Sequence, residues 1–214
     1  MIVRRRNIIL LKVLLWLLCL GPLATLLAKG FHLVSQDLGA DPISVITLTT
    51  GHWTLILLLT TLSVTPARRI TGWNWLIRFR RLIGLFAFFY GCLHLLTYFW
   101  FDKFFDFGEI IRDIGKRPFI TVGFLAWTLM LPLALTSTTG SIRRLGKRWQ
   151  TLHRLIYFSA TAGVIHFWWL VKKDIRRPEK YALVLALLLL FRIFLWLLPW
   201  LRRSRATTES LSAG

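Results

Sequence analysis

Six long apolar segments separated by basic connections constrain the fold of this chain more than any other feature of its sequence. A bilayer core of about 30 Å requires about 20 apolar residues in a helix. Six segments reach or approach this length: 8–28, 45–65, 82–100, 118–135, 152–170 and 181–201. Backbone groups in lipid must bond within their own segment, so we predict helices rather than strands. The expected fold class is an all-α integral membrane protein, a six-transmembrane-helix bundle.

Composition and charge exclude several other classes of protein. The net charge is +19, but the Lys and Arg residues lie between apolar blocks, where they act as topology signals and not as a nucleic-acid surface. Cys19 and Cys92 lie inside apolar segments and form no metal-binding or haem-attachment motif. We expect one domain over residues 1–205 and a short polar tail, 206–214, that is disordered.

The distribution of Lys and Arg predicts the orientation in the membrane. The side that holds both termini carries 15 of these residues in its connections, and the other side carries 10. This excess favours cytoplasmic termini. The basic connection 171–180, on the outer side, argues the other way.

Two histidines lie at a matched depth near the outer face. Ionisable groups within membrane segments are costly and are candidates for function. His94 is about 9 Å from the outer end of its segment, and His166 is about 6 Å from the outer end of the fifth, at the rise of an α-helix. Two neutral imidazoles that face each other bind a b-type haem iron from both sides.

The other histidines leave alternatives open. His153 is about 19 Å from His166 along the helix axis, so both cannot hold one iron, whereas two stacked haems would fit this spacing. On a straight helix the two side chains would lie about 140° apart, so a bulge or a change of pitch is needed. His52 competes with His94 or His166 as a ligand, or bonds to a propionate, a quinone or the backbone. His32 falls in an outer loop and is expected to be solvated.

Short motifs occur in a fixed order between about residues 38 and 172. They are LGADP at 38–42, Thr65-Pro66, Arg80-Arg81-x-x-Gly84, Leu93-His94, Arg117-Pro118-Phe119-Ile120-Thr121-x-Gly123, Leu135-Thr136-Ser137, Gly146-x-x-Trp149-Gln150-x-Leu152-His153-Arg154-x-x-Tyr157, and His166. In this order and spacing they resemble the MsrQ family, within the broader ferric-reductase-like transmembrane group. Members of that family are haem-binding membrane subunits of the bacterial periplasmic protein-methionine-sulfoxide reductase system.

The resemblance implies a multi-pass electron-transfer subunit of the bacterial inner membrane. Such subunits take electrons from the membrane quinone pool and pass them through b haem to a periplasmic molybdopterin-containing catalytic subunit. That partner reduces methionine sulfoxide in oxidised periplasmic proteins. The chain would then be the redox subunit of an oxidoreductase complex, without chemistry of its own on methionine sulfoxide. The family has also been associated with FMN, although this sequence contains no flavin motif.

The resemblance also assigns site residues. Haem-ligand positions fall on His94, His153 and His166. NADPH-oxidase-like relatives carry a further histidine where this chain has Arg80, and arginine does not give up its proton to become a normal ligand. We therefore expect one haem, or two if His153 has an unusual partner. Candidates to pair with haem propionates are Arg80, Arg81 and Arg154. Their positions are explained equally well if they are basic residues of the inner connections that set the membrane orientation.

Further alternatives concern the last segment and the function class. Arg192, well inside the last segment, either extends to the cytoplasmic face or meets a propionate or a quinone oxygen. No NAD- or FAD-binding domain follows this segment, so electrons are expected from a membrane-soluble donor or a separate protein. A small transporter or channel without haem would line a polar path with His52 and the threonines of the second segment. It would usually show internal repeats, and none is evident. A third class is a structural membrane partner without a cofactor.

Overall fold

All regular structure in the described residues is helical. The computed structural model describes residues 5–34, 37–171 and 175–212, with side chains described except for Arg5 and 199–212. The helices are α1 (Arg5–Gly30), α2 (Pro42–Thr71), α3 (Ile77–Thr97), α4 (Phe107–Lys116), α5 (Pro118–Leu135), α6 (Thr139–Leu145), α7 (Lys147–Leu152), α8 (Leu155–Leu170) and α9 (Arg176–Ser212). A short 3₁₀ turn (Asn74–Leu76) precedes α3, and a π-helical turn (Tyr98–Asp102) follows it. The basic residues at 4–5, 172–173 and 202–205, which contribute to the predicted orientation, lie outside the described side chains.

Within the described residues, five stretches of helix are long and apolar enough to cross a membrane. They are Arg6–Gly30, Pro42–Thr71, Asn74–Asp102, Pro118–Leu135 and Arg176–Leu198, and they correspond to five of the six predicted segments. The predicted segment 152–170 differs because its helix is interrupted after Leu152. The remaining helix, α8, has 16 residues, or about 24 Å at 1.5 Å per residue. Helix α9 continues to Ser212, and the division into a domain, 1–205, and a tail, 206–214, stays a prediction.

Local signals set the ends of the second helix. The Asp41 side chain accepts a hydrogen bond from the Ser44 backbone N–H (3.1 Å), and Pro42 occupies the first turn, where its missing N–H is not needed. At the other end Gly72 is left-handed, with φ of 72°, and its N–H donates to the Arg68 carbonyl. Both signals lie outside the apolar segment itself, so the helix is longer than the predicted 45–65.

Two helix pairs build the core. α2 packs along α3, and α5 packs along α8. Leu58, Leu62, Ala87 and Ala160 are almost completely buried among these four helices. The outward faces of α1 and α9 expose large apolar side chains instead, as expected for helices that contact lipid.

Tyr90 ties α1 to α3 through an unusual set of hydrogen bonds. Its hydroxyl, completely buried, donates to the Cys19 carbonyl (2.7 Å) and accepts from the Leu23 N–H (3.1 Å). These two backbone groups are four residues apart and would bond directly to each other in an uninterrupted helix. The hydroxyl is therefore inserted into the ladder of α1, next to Pro22, which lacks an N–H of its own.

An amphipathic helix, α4, lies on the connection between α3 and α5. The sequence did not predict it, because its ten residues are too short and too charged to read as a span. The Asp106 side chain accepts from the Glu109 N–H (3.0 Å) and so caps its first turn. Ile110 and Asp113 are buried against the protein, whereas Phe107 and Ile111 are exposed on another face.

Candidate functional site: two facing histidines

His94 on α3 and His166 on α8 face each other across a cavity. Their ring centroids are 6.1 Å apart, and the ring planes are inclined at 72°. Both rings line the same cavity of about 370 Å³. The structure thus brings together the two histidines that the sequence placed at a matched depth.

Hydrogen bonds fix the orientation of both rings. The His94 Nδ1–H donates to the Thr47 carbonyl (2.9 Å), and the His166 Nδ1–H donates to the Phe119 carbonyl (2.7 Å). A carbonyl can only accept, so Nδ1 carries the proton and Nε2 carries a free lone pair. Neither Nε2 has a hydrogen-bond partner among the described residues. This arrangement is typical of histidines that ligate a metal ion.

Glycines make room for the two rings. A Cβ atom on Gly51 would lie 3.0 Å from Nδ1 and Cε1 of His94. A Cβ atom on Gly123 would lie 2.6 Å from Nδ1 and 2.8 Å from Cε1 of His166. Any larger residue at either position would push the ring into the cavity or break its bond to the carbonyl, so glycine is needed for close packing at both positions.

The two halves of the site are built in the same way. The sequence Gly-x-x-His occurs at 91–94 and again at 163–166, an offset of 72 residues. In each half the carbonyl that accepts from the ring belongs to the residue 47 positions before the histidine. The glycine beneath each ring follows that carbonyl by four residues, with the same offset of 72. The pair α2–α3 and the pair α5–α8 are therefore equivalent half-sites, a repeat that the sequence analysis missed.

The cavity has apolar walls and one charged end. Leu58 and Met130 line it deep in the bundle. Where α3 ends and α5 begins, Tyr98, Asp102 and Arg117 line it instead. Asp102 and Arg117 are the only charged residues among those that line it in the described part of the chain. A ligand that fits this cavity has an apolar body and a polar group at the charged end.

His153 lies away from this cavity, at the interruption between α7 and α8. Its ring stacks on Trp149, with centroids 3.8 Å apart, and its Nδ1–H donates to the Trp149 carbonyl (3.1 Å). Its Nε2 is buried without a hydrogen-bond partner in the described part of the molecule. The interruption supplies the change of pitch that a straight helix through His153 and His166 would lack.

The three arginines predicted to pair with propionates also lie elsewhere. None of them is among the residues that line the cavity of His94 and His166. Arg80 is half-buried, whereas Arg81 and Arg154 are exposed. If they bind an anion, they do so at a different site from the facing histidines.

His52 and Arg192 both have partners within the protein. The His52 Nε2 is hydrogen-bonded to the Tyr181 hydroxyl (2.6 Å), so this nitrogen is not free to bind a metal ion, although His52 lines the cavity. The Arg192 Nε donates to the Tyr157 hydroxyl (2.9 Å), and its Nη2 donates to the Leu62 carbonyl (2.9 Å). Arg192 therefore turns into the bundle rather than extending along the helix to the surface. His32 is exposed, as predicted.

Comparison with known proteins assigns the chain to a family. The family model described as "Ferric reductase like transmembrane component" matches residues 47–164. A relative from Herminiimonas arsenicoxydans is 51% identical over 92% of this chain and 88% of its own length. A relative from Azospira oryzae is 55% identical, over 88% of this chain and 80% of its own length. Both are named "Protein-methionine-sulfoxide reductase heme-binding subunit MsrQ".

The chain belongs to the MsrQ family. A further member from Xanthomonas campestris pv. campestris, with the same name, is 53% identical over 84% of this chain. Membership in a ferric-reductase-like transmembrane family, together with the five long apolar helices, makes this chain a multi-pass membrane protein. The matched region begins at Thr47, whose carbonyl holds His94, and so contains most of both half-sites.

An ion-pair network holds α4 against the charged end of the site, where α3 ends and α5 begins. The Lys103 ammonium, almost completely buried, lies 2.7 Å from Glu109 and 2.8 Å from Asp113. The Tyr98 hydroxyl also donates to Asp113 (3.2 Å). The hydrogen bond from Lys103 holds the pKa of the Asp113 carboxyl below its ordinary value, and the same bond raises the pKa of Lys103. Both groups are therefore charged at neutral pH and keep α4 in place.

Sequence reasoning missed three residues of this site as functional positions. Gly51 and Gly123 support the rings, and Arg117 lines the charged end of the cavity. The recurrence of Gly-x-x-His at the two matched histidines gives an offset of 72 residues, and this offset, which also relates Gly51 to Gly123, was the signal that could have revealed the two glycines. Arg117 carried no such signal, since its position at the cavity depends on how α4 and α5 fold together.

Proposed function

We propose that this protein is a b-haem electron-transfer subunit that passes electrons from the quinone pool to a periplasmic molybdopterin-containing methionine sulfoxide reductase. The observation that carries this proposal is the pair of facing imidazoles, His94 and His166, each with Nδ1 bonded to a carbonyl and Nε2 free. The names of the relatives, which state a heme-binding subunit of that reductase, support it.

The separation of the two rings suits one metal ion between them. A bond from an imidazole nitrogen to a transition metal is about 2 Å long, and the ring centre lies about 1.1 Å beyond the nitrogen. Two imidazoles on opposite sides of one ion would then have centroids about 6.2 Å apart. The observed separation is 6.1 Å. The separation of the two rings therefore matches that of two imidazoles that share one iron.

The other surroundings favour a haem over a bare ion. No group of three or more His, Cys, Asp or Glu side chains that could hold a metal ion occurs among the described residues. Two imidazoles alone are too few for a bare ion, whereas a porphyrin supplies four further nitrogens. Bound haem would supply one-electron redox chemistry. The chain's own residues hold the iron through Nε2, fix the ring orientation through the two carbonyls, and exclude water with apolar walls.

The membrane arrangement completes this proposal. We place six spans in the bacterial inner membrane, with α8 as the short one and both termini in the cytoplasm. The excess of Lys and Arg on that side supports this orientation. The cavity of His94 and His166 would then lie near the periplasmic surface, within reach of a docked catalytic subunit. The chain would have no chemistry of its own on methionine sulfoxide.

A second haem on the cytoplasmic side is part of the same proposal. The buried and unpartnered Nε2 of His153 supports it, because buried polar groups normally have a partner. Three arginines would pair with its propionates: Arg80, Arg81 and Arg154. The connections 66–81 and 136–151 contain no Asp or Glu to neutralise nearby cations. FMN, which the resemblance also implies, has no site that we can assign among the described residues.

The threonines of α2 do not favour a transport path. Four of their hydroxyls, those of Thr50, Thr54, Thr60 and Thr61, each donate to a carbonyl of their own helix. Hydroxyls satisfied in this way offer few sites to a polar solute. The buried hydroxyl of Thr47 is without a partner among the described residues, but it lines the cavity of His94 and His166 and not a separate path. The structure therefore gives no specific support to the transporter class.

Haem stoichiometry of purified variants tests the proposal. We expect pyridine haemochrome spectra of the b type from the full chain expressed with ample haem. His94→Ala and His166→Ala should each lose the outer haem, and His153→Ala should lose only the inner haem if two are bound. His32→Ala is the matched control, because its ring is exposed outside the site. A well-folded wild-type protein without haem, or retention of the outer haem by both His94→Ala and His166→Ala, would contradict the proposal.

A further inference from the structure

The equivalence of the two half-sites leaves the orientation of a bound ligand open. A flat ligand held between two equivalent histidines meets nearly the same surroundings on both faces. The two ends of the cavity differ, however, so the residues at the charged end, where α3 ends and α5 begins, decide which edge of the ligand points to that end. With the offset of 72 residues, Arg117 corresponds to Val45, so the charged group has no counterpart in the other half-site.

Arg117 is the cation of the cavity wall, and its charge is only weakly paired. Its Nε lies 3.5 Å from Asp113 Oδ1, and its side chain is 55% exposed. The Asp113 carboxylate already accepts from Tyr98 and binds the Lys103 ammonium at 2.8 Å. The other N–H groups of Arg117 have no partner among the described residues. Arginine with free N–H groups at the mouth of an apolar cavity favours a carboxylate, which it binds with two parallel hydrogen bonds.

We infer that Arg117 binds a carboxylate of the ligand that fills the cavity and so sets the orientation of that ligand. The inference rests on the proposed function, in which the ligand is a haem and its carboxylates are the propionates. Asp102, the other charged residue of the wall, is exposed and repels carboxylates, which directs them towards Arg117. Asp113 is a positioning residue, since it holds Arg117 at the cavity while its own charge is satisfied by Lys103.

The test compares two ligands in three variants of the full chain. The ligands are haem and haem dimethyl ester, whose propionates are blocked. The variants are Arg117→Gln, Arg117→Lys and the matched control Arg112→Gln, which removes the same charge from the exposed face of α4. The rate of haem transfer to excess apomyoglobin measures dissociation. Hydrogen bonds to a charged group contribute about 1.5–3 kcal/mol, so we expect Arg117→Gln to release haem about 10- to 100-fold faster.

The ester separates binding of the carboxylate from a structural role. Wild type and Arg112→Gln should release the ester much faster than haem, whereas Arg117→Gln should release both at similar rates. Arg117→Lys should fall between, because it keeps the charge but not the bidentate geometry. Equal release of haem and ester by wild type, or an equal effect of Arg117→Gln on both ligands, would overturn the inference while leaving haem binding itself intact. A wild-type protein that binds neither ligand would overturn the proposed function together with the inference.

Discussion

Replacing Gly123 by alanine should displace His166 and weaken haem binding more than any other single methyl group added to the site. The new Cβ would lie 2.6 Å from Nδ1 of His166, and ordinary contacts begin at about 3.4 Å, so the ring has to move by about 0.8 Å. Bonds from imidazole to a metal ion tolerate deviations of only about 0.2 Å. The displacement also lengthens the hydrogen bond from Nδ1 to the Phe119 carbonyl. Loss of such a supporting bond alone reduces metal affinity about 10- to 100-fold.

A graded series makes this prediction quantitative. At Gly51 the closest approach to His94 is 3.0 Å, so a displacement of about 0.4 Å suffices and the effect should be smaller. At Gly91 the nearest atoms are 3.5 Å away, an ordinary contact, and the effect should be slight. Gly21→Ala is the control, because no atom outside its own helix backbone lies within 4 Å of its Cβ.

Two measurements are made on each variant of this series. Titration of haem-depleted protein with haem gives the affinity, and the visible spectrum shows whether one or two nitrogens bind the iron. We expect Gly123→Ala to lose most affinity and to show one nitrogen ligand, with Gly51→Ala in between. Wild-type affinity and spectrum in both variants would refute the close packing of the rings on the glycines, and with it the assignment of the two half-sites.

Two further predictions concern stability. Tyr90→Phe removes a buried hydroxyl, but the Leu23 N–H and the Cys19 carbonyl can then bond to each other, so the free energy of unfolding should fall by about 0.5–1.5 kcal/mol. Unchanged unfolding in a detergent titration would contradict the role given to Tyr90. The pKa of Asp113 lies below its ordinary value of 3.8, so its contribution to stability is present above that pH and is lost as the pH falls through the lowered pKa. Thermal unfolding at pH 7 and pH 3 should therefore show a smaller acid-induced loss of stability in Asp113→Asn than in wild type. Asp37→Asn, which removes an exposed carboxylate on another connection, is the control and should behave as wild type. Equal losses of stability in all three proteins would contradict the pairing of Asp113 with Lys103.

The apolar segments predicted most of the helices because lipid leaves a chain few alternatives. Residues 118–135 form α5 with the predicted ends, where Pro118 begins the helix. The ends of α2 were misplaced because Asp41 and Gly72, which set them, lie in the polar connections. The angle between His153 and His166 predicted a bulge or a change of pitch if both were to face inward, but it did not predict that the break lies at His153 and Arg154, within a continuous run of helix-forming residues.

Part of the site was also accessible from the sequence. Depth along a helix follows from counting residues, and it selected His94 and His166. The direction in which a side chain points from the helix depends on packing. Counting residues therefore gave no partner for His52, whose ring bonds to a tyrosine, Tyr181, that follows it by 129 residues. Arg117 reaches the cavity through the fold of the connection between α3 and α5, and hydrophobicity carries no information about that fold.

The hydroxyl of Tyr90 has a consequence for how the bundle is assembled. While α1 is alone in the bilayer, the Leu23 N–H and the Cys19 carbonyl have only each other as partners, because lipid supplies none. In α1 alone these two groups bond to each other. This bond is replaced only when α3 packs against α1 and the Tyr90 hydroxyl bonds to both groups. Docking of α1 is therefore separate from its insertion, because it requires the hydroxyl of Tyr90, which follows Leu23 by 67 residues.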